Sequence, residues 1–62
     1  MEFKIGDYLK SAIVGMEGIV IRTPSGDLPR RYRLYCVYDE TYHKPGVKFY
    51  ITDPTKWVLV RR

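Results

Sequence analysis

Apolar positions along the chain fall in short runs separated by turn residues. Val, Ile, Tyr and Phe, which suit a pleated, half-buried surface, concentrate over 8–10, 18–23, 31–38, 47–52 and 57–61. Each segment is predicted to be a strand. Between them stand Gly6-Asp7, Gly15, Pro24-Ser25-Gly26-Asp27 with Pro29, Lys44-Pro45-Gly46 and Asp53-Pro54. Turn chemistry this frequent leaves no uninterrupted segment of helical length with a 3.6-residue repeat. The connections are then a longer first loop over 10–17, a tight second loop over 24–29 and a hairpin connection over 39–46.

Period-two alternation sorts the side chains of the two most informative runs. Over 31–38, Tyr32, Leu34, Cys36 and Tyr38 share one face and are assigned to the interior or its rim; Arg31, Arg33, Tyr35 and Val37 share the other. Over 47–52, Val47, Phe49 and Ile51 oppose Lys48, Tyr50 and Thr52. If these two strands pair as a hairpin, Arg31, Arg33, Tyr35, Lys48 and Tyr50 combine on one outer surface.

The link over 53–56 decides the architecture. Asp53 suits the cap of a short helical turn and Pro54 its first position, after which the chain returns to a last strand. Five short strands with one 3-10 turn before the fifth is the order of an all-β, five-stranded SH3-like barrel, a bent sheet that closes on itself and protects its edges. Residues 1–62 are expected to form one such domain.

Two stretches add a family resemblance. "FKIGDYLK" followed by "VGMEGIVI" resembles the opening of KOW and related Tudor-like small barrels, where an apolar-x-x-Gly-Asp start is followed by a loop and then Gly-x-Val on the second strand. Phe3, Ile5, Gly6 and Asp7 match the start, and Gly18, Ile19 and Val20 the Gly-x-Val. The intervening loop departs from the pattern, carrying Ser11, Ala12, Ile13 and Met16 in place of lysine and glycine. A glycine at position 18 would allow a bend or a close backbone approach at the start of a strand.

Composition narrows the chemistry. At 62 residues the chain buries only roughly 60% of the surface its unfolded form exposes, which leaves no room for a core plus a deep catalytic cleft. His43 has no nucleophile beside it and no glycine-rich phosphate loop precedes a helix, so no enzyme activity and no cofactor are expected. One cysteine, Cys36, and one histidine are too few for a metal site and exclude an internal disulfide. No apolar stretch approaches the roughly 20 residues that span a bilayer, and the start lacks a signal-peptide core, so a cytoplasmic location with no membrane contact is expected.

Charge supplies the functional expectation. Eleven Lys and Arg against seven Asp and Glu give a net +4, yet residues 1–20 carry three acids and two bases, while Arg30, Arg31 and Arg33 fall within four positions. Guanidinium groups for phosphates interleaved with phenol rings for stacking suit a nucleic acid, DNA or RNA. The expected contact set is Arg22, Arg30, Arg31, Arg33, Tyr35, Lys48 and Tyr50. The same letters also suit a stable sheet face, because cross-strand aromatic pairs and edge cations need no ligand. A protein partner or a homodimer is the alternative. It would use Ile13, Val14 and Met16 in the first loop, Tyr42 at the hairpin tip and Trp57.

Overall fold

The computed structural model describes residues 3–26, 30–40 and 44–62. Five strands run through them: β1 (Tyr8–Ser11), β2 (Met16–Arg22), β3 (Tyr32–Asp39), β4 (Lys48–Ile51) and β5 (Trp57–Arg61). They form one antiparallel sheet in the order β4-β3-β2-β1-β5. Every predicted strand is present with its ends within two residues. A 3-10 turn at Pro54–Lys56 precedes β5; Asp53 Oδ1 accepts from Thr55 N at 3.1 Å. Among the described residues no helix is long and apolar enough to cross a membrane.

Among the described residues no ladder joins β4 to β5, so hydrogen bonding leaves the sheet open where a closed barrel was expected. Its apolar face nevertheless folds inward. Phe49 of β4 and Trp57 at the start of β5 stack across the gap with ring centroids 5.8 Å apart. Leu9, Val20, Leu34 and Cys36 are fully buried between these edges, with Phe3, Met16, Tyr32, Phe49 and Ile51 around them and Trp57 and Leu59 half-buried against them. Each fully buried aliphatic side chain contributes about 1.5–3 kcal/mol. Burial, with a smaller push from the Asp39 charge, raises the Cys36 thiol above its ordinary range, so Cys36 serves as a small protonated hydrophobe.

The opening motif anchors the chain to β2. Asp7 N donates to Lys4 O at 3.0 Å, with Gly6 at φ +95° in the left-handed position that the turn requires. The buried Asp7 carboxylate accepts from Lys4 N at 2.8 Å and lies 3.9 Å from Arg62 Nε. Gly6 N donates to Val20 O, and Val20 N to Asp7 O. Phe3 joins the core edge-on to Tyr32.

Strict alternation fails at Tyr38, which is 48% exposed and not in the interior. Glu17 is opposite Tyr38 while Gly18 is opposite Cys36, so Val37 is an extra residue on β3 and the alternation restarts beyond it. A second shift leaves Ile21 extra on β2, between the Val20–Leu34 and Arg22–Arg33 pairs. A third, between Tyr8 and Leu9, leaves Val60 extra on β5. Such bulges bend and twist a sheet.

Gly18 sits at the first of these shifts. A Cβ there would lie 2.9 Å from the Tyr35 carbonyl oxygen and 3.3 Å from the Leu34 side chain. Gly18→Ala is therefore expected to destabilise the protein by about 1–3 kcal/mol, measured as a lower urea midpoint with an unchanged slope. An unaltered midpoint would show that β2 and β3 are not this close in solution.

Candidate nucleic-acid interface

Residues that alternate with the core project from the other side of the sheet, and strand register arranges them in rows. Arg22, Arg33 and Tyr50 are successive cross-strand partners over β2, β3 and β4. The next row runs Lys48, Tyr35, Ile19, Tyr8 and Arg61 across all five strands. A third runs Tyr38, Glu17, Lys10 and Val58.

Cations and rings are already in contact on this face. The Arg33 guanidinium carbon stands 5.3 Å from the Tyr50 ring centroid, and that of Arg61 stands 5.2 Å from the Tyr8 ring; both lie within cation–π range. Tyr8 donates its hydroxyl hydrogen to Glu17 Oε1 at 2.5 Å. Arg33 Nε is buried without a hydrogen-bond partner among the described residues. Arg22 and Arg33 face each other directly across the ladder, and among the described residues no carboxylate forms an ion pair with either.

Of the expected contact residues, Arg22, Arg33, Tyr35, Lys48 and Tyr50 share this face. Arg31 is exposed one residue before β3, and Arg30 is exposed beside it in the left-handed region at φ 59°; both flank the rows without entering a ladder. Tyr8, Lys10, Ile19 and Arg61 were not anticipated. Alternation about the buried Leu9 carries the signal for Tyr8 and Lys10, but their place beside Tyr35 follows only from the β5-β1-β2-β3 order.

The alternative protein-binding residues do not gather. Ile13 is 68% exposed and Val14 is exposed beside it, in a loop held by Ser11 Oγ, which accepts from both of their backbone N–H groups at 3.2 Å. Met16 is in the core and offers no free surface; its side chain falls on the buried parity of β2 with Gly18 and Val20. Trp57 is half-buried against Phe49. Tyr42 lies outside the described residues. Away from both sets, an open groove of about 450 Å³ is lined by Phe3, Lys4, Ile5, Thr23, Pro24 and Tyr32.

The Tyr8–Glu17 hydrogen bond sets a pH dependence. It raises the Tyr8 pKa above the ordinary value near 10; burial and the Glu17 charge add to the rise, and Arg61 opposes it. A raised tyrosine pKa contributes stability that is fully present below the ordinary value and is lost as pH climbs through the folded one. Tyr8 ring resonances are expected to titrate above those of a blocked tyrosine standard, and Glu17→Gln is expected to lower that midpoint. Coincidence of wild type and standard would mean that the bond is absent in solution.

No protein-family model, curated protein or solved structure matches the chain.

Proposed function

We propose that the chain is a small barrel of the SH3-like kind, akin to KOW and Tudor-like domains, and a non-catalytic nucleic-acid-binding module. It acts through the outer face of β3 and β4, extended onto β2. The strand order, the 3-10 turn before β5 and the Phe49–Trp57 stack between the sheet edges support the barrel.

The observation that carries the binding reading is the Arg22–Arg33 pair. Like charges directly opposite each other destabilise a sheet. A phosphate bound by both guanidinium groups turns that repulsion into charge-assisted hydrogen bonds. Lys48 supplies a further cation one row away, while Tyr35 and Tyr50 supply rings. Exposure of Ile13 and Val14 on a braced loop supports a second reading, docking onto a larger protein.

The test is binding of labelled DNA and RNA oligonucleotides at several salt concentrations. Wild type is expected to bind with affinity that falls steeply as salt rises. Arg22→Thr is expected to flatten the logarithmic salt slope by about 0.7–0.9, one phosphate contact. It is also expected to stabilise the free protein by about 0.2–1 kcal/mol through removal of the like-charge pair. Absence of salt-sensitive binding to every oligonucleotide, with retention of a nuclease-resistant protein in a pull-down, would replace this reading with the docking one.

A further inference from the structure

We infer that the nucleic acid taken by this face is single-stranded, with a base stacked on Tyr35. This rests on the nucleic-acid reading above and specifies its ligand. Tyr35 stands at the centre of the cationic half of the face: Lys48 and Ile19 are its partners on β4 and β2, and Arg33 is two residues back on β3. The residue is 43% exposed. The hydroxyl end lies over the β3–β4 turn, where a Cβ on Gly46 would be 3.4 Å from the oxygen, and Gly46 adopts φ +94°. Ring position is thus defined by the turn beneath it.

Of the four tyrosines of this face, Tyr38 stands in the third row opposite Glu17, away from the cationic rows, and the other three differ in what covers them. Tyr50 carries the Arg33 guanidinium and Tyr8 that of Arg61. Among the described residues, neither a ring nor a guanidinium covers Tyr35. A positioned, uncovered ring among cations is a stacking platform, and base–aromatic stacking tolerates any sequence because every base has a π-face.

Duplex cannot use this platform. Its bases are stacked on one another, and a sheet laid against it meets only phosphates and sugars. The major groove admits a helix or a two-stranded ribbon, whereas this face is part of a continuous five-stranded sheet. A single strand can splay a base onto Tyr35 while its phosphates reach Arg22 and Arg33 on one side and Lys48 on the other.

The experiment compares a labelled oligothymidylate, an oligouridylate and a duplex of equal length on the full chain at one salt concentration. The single strands are expected to bind about tenfold or more tighter than the duplex. Tyr35→Ala is expected to weaken single-strand binding by about five- to a hundredfold with the salt slope unchanged, and Tyr35→Phe to retain it. Should the alanine variant not fold, the wild-type Tyr35 ring protons decide the matter, since stacking moves them upfield on addition of oligothymidylate. Equal or tighter duplex binding, a neutral Tyr35→Ala or unmoved ring resonances would overturn the single-strand inference and leave the phosphate-binding face standing. Failure of all three nucleic acids to bind would end both.

Discussion

A single sheet with no covering helix among the described residues has only itself to bury its apolar face against. That constraint governs the molecule. The solution visible here is curvature: three register shifts, at Val37, Ile21 and Val60, bend the ladders, and Gly18 lets the Tyr35 carbonyl of β3 come closer to β2 than a side chain would permit. Only on a sheet bent this far can Phe49 and Trp57, from strands at opposite edges, meet ring to ring. The buried Asp7 secures the chain end to the central strand, its backbone and that of Gly6 both bonded to Val20.

The same curvature organises the outer face. Alternation that commits Leu34 and Cys36 to the core commits Arg33 and Tyr35 to the outer face, and pairing of β3 with β4 brings Lys48 and Tyr50 beside them. Without the extra residue Ile21, Leu34 and Arg33 would face consecutive residues of β2, and Ile21, not Arg22, would oppose Arg33. The bulge thus installs a like-charge pair where an aliphatic–arginine pair was available.

The sequence made the strands, the 3-10 turn and the β3–β4 part of the face legible because these depend on local chemistry: turn residues, a capping Asp53 before Pro54, and a period of two. It did not make Tyr38 legible. One inserted residue reverses every later assignment, and nothing in "RLYCVYD" marks Val37 as the extra residue; the cue was Gly18, which lies on the neighbouring strand. A strand read as beginning at Gly18 leaves Met16 in the loop, whereas β2 starts two residues earlier and turns Met16 inward. Tyr8 and Arg61 escaped for a different reason. They are 53 positions apart, and their meeting is a property of strand order, which local patterns do not encode.

Charge is distributed unevenly across the rows, and this bears on how a polyanion would lie. On the β1 side, Glu17 accepts from Tyr8 and is the cross-strand partner of Lys10, so an acid and a base stand together there. Toward β3 and β4, Arg22, Arg33 and Lys48 have no acid among their cross-strand partners. Because charges more than a Debye length apart, about 8 Å at physiological salt, are largely screened from each other, the face acts as a strongly cationic half next to a more weakly charged one, where Glu17 stands with Lys10 and Arg61, rather than as one uniform patch. On the proposed nucleic-acid reading, a phosphate chain would be held at the β2–β4 half, with Tyr35 on its middle strand, where a base can leave the charged path and rest on the ring and on Ile19 beside it.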